Sequence, residues 1–183
     1  MGRPVPFAVE LAFDAVSAAT VRGLWRDLAT AGLDTFMLNS GAAPHLTLAV
    51  YDQLDANAFA PTLAAFAAVI APHAVTLASI GMFPTTGVVF LAPVVTPALL
   101  RVHARFHADF APPRAPSWEY YLPGRWVPHC TVAMDLPAPL RPRAVDICQR
   151  ASLPVTGRLI EVGLLEFRPV RQHFSFAMTG RDE

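Results

Sequence analysis

The chain has 183 residues, enough for one domain with a sizeable core, and its 14 basic and 14 acidic residues cancel to a net charge of zero. A hydrophobic share of 54% is high for a soluble protein, yet no run approaches the roughly 20 apolar residues that a membrane span needs. A neutral chain is a poor tracker of duplex DNA or other long polyanions, whose binding comes largely from counterion release at basic grooves. Any phosphate ligand is therefore expected to be a small nucleotide or an RNA end.

All the basic residues are arginine, which suggests a GC-rich coding bias more than a function. Cys130 and Cys148 lack metal-ligand spacing and read as buried thiols of a reducing compartment. The stretch Met1–Pro6 has no charged segment leading into an apolar one. No leader is expected, and the cytoplasm is the expected location.

In chain order, residues 6–13 alternate as a strand. Ser17 is placed to cap a helix in which Val21, Leu24, Trp25 and Leu28 recur at helical spacing until Gly32. A loop with Asn39, Ser40 and Gly41 leads to a strand from His45, and a helix over about 57–71 follows. Strands near 74–83 and 87–94 are joined by a turn at Pro84–Gly87. The order then begins again. A helix near 97–110, a proline-rich loop at 111–116, a strand from His129, a helix near 140–151 and strands near 155–167 and 171–179 complete the chain. These elements predict an α+β fold of two lobes, about 1–86 and 87–170 with a last strand over 171–179, and two mainly antiparallel sheets facing a cleft.

The repeat is visible in the residues themselves. Pro44-His45-Leu46-Thr47-Leu48-Ala49 matches Pro128-His129-Cys130-Thr131-Val132-Ala133, and the distance from His45 to Phe83 equals that from His129 to Phe167. In a strand, residues two apart share a face. Each copy thus sets an imidazole beside a hydroxyl, with apolar side chains behind. Two imidazoles across a cleft repel when both are charged, so near neutrality they tend to hold one proton between them. A neutral ring that accepts a proton from water, and a charged ring that gives one to a leaving oxygen, suit in-line displacement at phosphorus. Thr47 and Thr131 can donate to the phosphate oxygens as charge builds there. A zinc site is the competing use of paired histidines, and it wants a third nitrogen, sulfur or carboxylate ligand.

Pro44-His45-Leu46-Thr47 and Trp126-Val127-Pro128-His129-Cys130-Thr131 resemble the two signature motifs of the 2H (two-histidine) phosphoesterases. The bacterial RNA 2′,3′-cyclic phosphodiesterase/2′-5′ RNA ligase-like family is the nearest match within them. The resemblance implies a bilobal pseudo-twofold fold and cofactor-free, metal-independent opening of cyclic phosphates. In some members it also implies ATP-independent joining of RNA ends, with a non-catalytic nucleotide or RNA-end binding module as the further alternative. Its catalytic residues fall on His45, Thr47, His129 and Thr131. By family analogy His129 is the base and His45 the acid, with the reverse left open by the near-symmetry of the motifs. The implied partner is a small nucleotide cyclic phosphate or an RNA 3′ end, bound by a monomer without a membrane.

Outside the motifs, Arg125 is a candidate for neutralising phosphate or a solvated loop residue, and Arg168 and Arg171 stand at a matching strand end. Phe83 and Phe167 are candidates for stacking on a base or for core packing. Tyr120, Tyr121 and Trp126 are alternative platforms, or cover a strand edge. Glu10, His173 and Ser175 are odd polar residues on their strands that could orient an imidazole. His103 and His107, four apart amid Arg101, Arg105 and Asp109, are expected on an exposed polar face, and His73 in a turn.

Overall fold

Alternation decides which side of each strand meets the helices. The computed structural model describes residues 5–33, 35–167 and 169–181. Its elements are β1 (Phe7–Phe13), α1 (Ala15–Thr30), α2 (Phe36–Asn39), β2 (His45–Tyr51), α3 (Ala56–Val69), β3 (His73–Phe83), β4 (Val88–Pro93), α4 (Pro97–Arg105), β5 (Cys130–Ala133), α5 (Arg141–Gln149), β6 (Val155–Glu166) and β7 (Arg171–Ala177). Val9 and Leu11 of β1, with Leu46 and Leu48 of β2, join one core with Val21, Leu24, Trp25 and Leu28 of α1 and Phe59, Leu63 and Phe66 of α3. Burying each such side chain stabilises the fold by roughly 1.5–3 kcal/mol. The alternate residues Ala8, Glu10, Ala12, His45 and Thr47 are left for the opposite, concave face.

Helix starts follow capping chemistry. Asp14, rather than Ser17, caps α1: its Oδ1 accepts from the Val16 and Ser17 amides at 3.0 Å each, a contribution of about 1 kcal/mol. The same carboxylate also takes the Arg158 amide of β6, so the cap sits where strand and helix meet and Ser17 is buried one turn further on. The helix expected near 97–110 is α4, capped by Thr96, and it loosens into a π-helical turn over Phe106–Phe110. The expected turn at 84–87 is present. Gly87 has φ +66 there, and a Cβ would lie 2.5 Å from the Leu136 carbonyl, so the position needs glycine.

The strands form an antiparallel network in the order β2-β1-β6-β3-β4-β5, with β7 also on β6. The α+β class and antiparallel pairing are as the sequence predicts, but in place of two separate sheets all seven strands join in one, because β6 pairs with β1, β3 and β7. Strand pairing does not follow the boundary near residue 86. Within the repeat β1-α1-β2-α3-β3 and β4-α4-β5-α5-β6, the third strand of each half lies beside the first strand of the other. Thus β6 pairs with β1 and β3 with β4, and β3 meets β6 at the centre, from His73↔Leu159 to Leu77↔Val155. The sheet curls so that its free edges, β2 and β5, approach within 8 Å between Cα atoms.

Candidate active site

The two motifs fold alike. Nδ1 of His45 lies 2.7 Å from the Ala43 carbonyl, and Nδ1 of His129 lies 2.7 Å from the Val127 carbonyl. A carbonyl only accepts, so each Nδ1 carries its hydrogen and Nε2 is left as the working nitrogen. Both rings are part-exposed, as are Thr47 and Thr131. The two motifs are close neighbours, with β2 and β5 approaching within 8 Å between Cα atoms, and charge on His45 is felt at His129. Burial lowers the His129 imidazole, the Val127 carbonyl opposes that, and His45 reinforces it.

Strand register shows what surrounds each pair. Across the first half the row is Thr47–Glu10–Gly163. Across the second it is Thr131–Phe90–Gly81. Glu10 and Phe90 are therefore counterparts in the two halves, and each lies beside a glycine. Glu10 Oε1 is 3.1 Å from Nε2 of His45. Burial pushes this carboxyl well above the usual carboxylate range. It also pulls the His45 imidazole down, against the hydrogen bond to Ala43. His129 has phenyl rings instead, with Phe83 edge-on at 4.9 Å and Phe90 at 5.2 Å between centroids.

Both motif strands are edge strands, whose outward carbonyls need partners. Two tryptophans supply them. Trp126 Nε1 donates to the Thr47 carbonyl at 2.9 Å, and Trp25 Nε1 donates to the Thr131 carbonyl at 3.1 Å. On β2 the seal is longer, because His107 Nε2 donates to the Leu48 carbonyl at 3.1 Å and the Trp118 amide to the Val50 carbonyl at 2.8 Å.

A family model described as the 2′-5′ RNA ligase superfamily matches residues 17–170. The chain belongs to that superfamily of 2H phosphoesterases. The fold is similar to that of TT0787 from Thermus thermophilus, at a TM-score of 0.58 and 18% identity over 97% of this chain and 100% of that one. It is also similar to E. coli LigT complexed with 3′-AMP, at a TM-score of 0.61 and 16% identity over 96% of this chain and 99% of the other. No curated protein sequence matches the chain.

Several residues expected around the superfamily motifs sit elsewhere or differently. Arg125 is engaged in an ion pair with Glu119 of its own loop. Tyr120 is 74% exposed. Its neighbour Tyr121 instead packs near Ala8, Val50 and Leu165 with Phe167, and Glu10 acts on its hydroxyl. Phe83 does face His129, whereas Phe167 lies against Trp118, 6.2 Å between centroids. Trp126 covers the β2 edge. Arg171 is exposed at the start of β7, and Arg168 lies outside the described residues. Ser175 donates to Glu161 at 3.0 Å, and His173 is 3.6 Å from Glu166. Of the odd polar residues, only Glu10 reaches a motif histidine.

His103 and His107 are the clearest departure, for they are not on an exposed face. His103 is 2% exposed, stacks flat on Trp126 at 4.0 Å, and donates to the Tyr121 carbonyl at 2.8 Å. The π-helical turn rotates His107 towards β2. His73 begins β3. Phe90 was not distinguishable in the sequence from any buried strand residue, and only the β4–β5 register reveals its place opposite Thr131. Both cysteines are free and buried, their thiols pushed up by burial to about 12 (Cys130) and about 11 (Cys148). Among the described residues no group of three or more His, Cys, Asp or Glu side chains is arranged to hold a metal ion, and no helix is long and apolar enough to cross a membrane.

Proposed function

We propose that the protein is a metal-independent phosphodiesterase that opens 2′,3′-cyclic phosphates of RNA ends or small nucleotides. One observation carries the reading. Two imidazoles on strand edges that approach each other each have Nδ1 fixed by a carbonyl two residues back, which leaves Nε2 as the nitrogen that can exchange a proton, that of His45 beside the Glu10 carboxyl. Such a pair suits hydrolysis: one Nε2 takes a proton from water as the oxygen bonds to phosphorus, while the other gives its proton to the ribose oxygen whose bond to phosphorus breaks. The product is a phosphomonoester and a free hydroxyl, and both histidines are restored by one proton transfer. Hydroxyls of Thr47 and Thr131 donate to the non-bridging oxygens. Arg125, Phe83, Phe167 and Tyr120 are the proposed contacts to the rest of the substrate, with Arg125 free to act only when it leaves Glu119. Structures of E. coli LigT complexed with 3′-AMP and with phosphate support a nucleotide phosphate as ligand.

Joining of RNA ends is the second reading, favoured by the superfamily's description, and it would run the same proton transfers backwards. The test is incubation with a 2′,3′-cyclic mononucleotide in EDTA. Steady conversion to a single phosphomonoester is expected. Binding without product would replace the enzyme by a nucleotide-binding module, and joining of tRNA halves without hydrolysis would favour the ligase. The protein is proposed to act as a monomer in the cytoplasm.

A further inference from the structure

Besides Glu10, the concave face carries a second carboxylate, Glu161 of β6, on the row of strand partners that starts at His45. Resting on the phosphodiesterase reading, we propose that Glu161, held in place by Ser175, reads the base of the nucleotide and that the base it selects is guanine.

Register places the pair. Ala12 is the partner of His45 on one side and of Glu161 on the other, and Glu161 is in turn the partner of Ala177. Val162 and Leu164 of β6 belong to the core, and Phe174 and Phe176 of β7 pack against it. Glu161 and Ser175, between them in sequence, therefore take the concave face. Neighbouring strands lie about 4.8 Å apart, so Glu161 stands about 10 Å across the sheet from His45. That is the span of a nucleoside whose phosphate rests on the motif histidines. The residue between them, Ala12, is small and part-exposed. At the other end of the same face, Tyr121 and Phe167 pack over Ala8, Val50 and Leu165. The Ala12 end is thus the open one, and it leads to Glu161.

Charge says which part of a nucleotide belongs there. A carboxylate repels phosphate, so in a cleft that takes one its place is at the uncharged end of the ligand, the base. Ser175 Oγ donates to Glu161 Oε2 at 3.0 Å, which orients the carboxylate. Glu161 has no ion pair among the described residues, and its side chain is part-exposed. Neighbouring polar groups are engaged elsewhere. Glu10 is turned to His45, and Arg158, earlier on β6, donates to the Pro72 carbonyl at 2.6 Å.

Hydrogen-bond chemistry then selects the base. An ionised carboxylate accepts and cannot donate. Guanine presents two adjacent donors, N1–H and N2–H, on its Watson–Crick edge, and a carboxylate takes both in parallel, charge-assisted bonds. Every other base sets an acceptor beside its donor. Adenine has N1 next to its N6 amine, cytosine has N3 next to its N4 amine, and uracil flanks N3–H with two carbonyls. With any of these, one carboxylate oxygen is paired and the other meets a lone pair.

The test measures kcat/KM of wild type, Glu161→Gln and Ser175→Ala on the 2′,3′-cyclic phosphates of guanosine, adenosine, cytidine and uridine. In wild type the guanosine substrate should lead the others by about tenfold or more, the worth of a bidentate pair. Glu161→Gln should remove most of that lead, raising KM for the guanosine substrate more than it lowers kcat. The adenosine substrate should gain, because a glutamine amide can donate to adenine N1 and accept from the N6 amine. Ser175→Ala should narrow the lead by less. Guanosine turned over no better than the rest, or a Glu161→Gln variant that slows all the substrates alike, overturns the proposal. If wild type turned over none of them, the phosphodiesterase reading would fall instead. Calorimetry with 3′-GMP and 3′-AMP then reads the base site without turnover. Tighter binding of 3′-GMP, lost in Glu161→Gln, is expected, and equal binding or none overturns the proposal.

Discussion

The two motif strands start from the same histidine–carbonyl clamp, yet their neighbourhoods diverge within a few residues. Beside Thr47 stands the carboxyl of Glu10, and beside Thr131 the ring of Phe90. The β2 edge is sealed by Trp126, His107 and Trp118, whereas Trp25 seals β5 at Thr131. Duplication therefore preserved the parts that must be paired, the imidazoles and hydroxyls. The flanking positions were free to specialise. A two-histidine site needs unlike rings, and a symmetric protein would have to rely on repulsion alone to make them so.

The comparison can be attacked from its strongest point downwards. His45→Ala and His129→Ala should each lower turnover of a cyclic mononucleotide by about 10²–10⁴-fold. Near-full activity in either variant, measured as initial rates, would mean that one half-site suffices. Thr47→Val and Thr131→Val should cost less, about 10–100-fold each, the worth of a hydrogen bond to a charged oxygen.

Stability should separate the halves as well. A Cβ at Gly81 would sit 2.3 Å from ring carbons of Phe90, which is itself wedged against Phe83 and His129. At Gly163 the nearest atom is the end of the Gln172 side chain, at 2.7 Å. Gly81→Ala should therefore lower unfolding free energy by about 1–3 kcal/mol, and Gly163→Ala by clearly less, as read from urea midpoints. Equal losses would contradict the rigid-against-flexible contrast between the two rows.

The smallest effect concerns the longer seal on β2. Burial, followed by charge on His107, lowers the His103 imidazole from its usual 6.5 to about 4. The unfolded chain takes up a proton near 6.5 and the folded one only near 4. Hence the unfolded state binds more protons between those values. Stability from this residue is complete above about 6.5 and is lost as pH falls towards 4. Urea midpoints should drop over that window, and His103→Gln should flatten the slope. A midpoint that rises on acidification in wild type would contradict the burial of this ring.

What could be read in advance follows from the range of each interaction. Strand faces, helix faces and the doubled motif are local patterns of a few residues, and they were legible. So were Glu10, as the polar exception on an apolar strand, and Trp126, as an edge cover. Asp14 competes with Ser17 as a cap, and only its second bond to the Arg158 amide, far away in sequence, decides the matter. His103 and His107 carry charged neighbours that suggest solvent. The π-helical turn that redirects His107 leaves no mark in spacing. Phe90's place opposite Thr131 depends on a strand register with an irregularity at Val89/Phe90, and Arg125's tie to Glu119 on a loop path. Neither can be inferred from composition.

The exchange of inner strands has a consequence for how the chain can assemble. A growing polypeptide that has released residues 1–86 still lacks the partner for the inner edge of β1, because that partner is β6, Val155–Glu166. Nor can β4 be joined to the early strands except through β3, made before it. Each half, cut free, would present an open hydrogen-bonding edge where its sibling belongs, so the two must condense together, and this pairing of distant segments predicts slow folding.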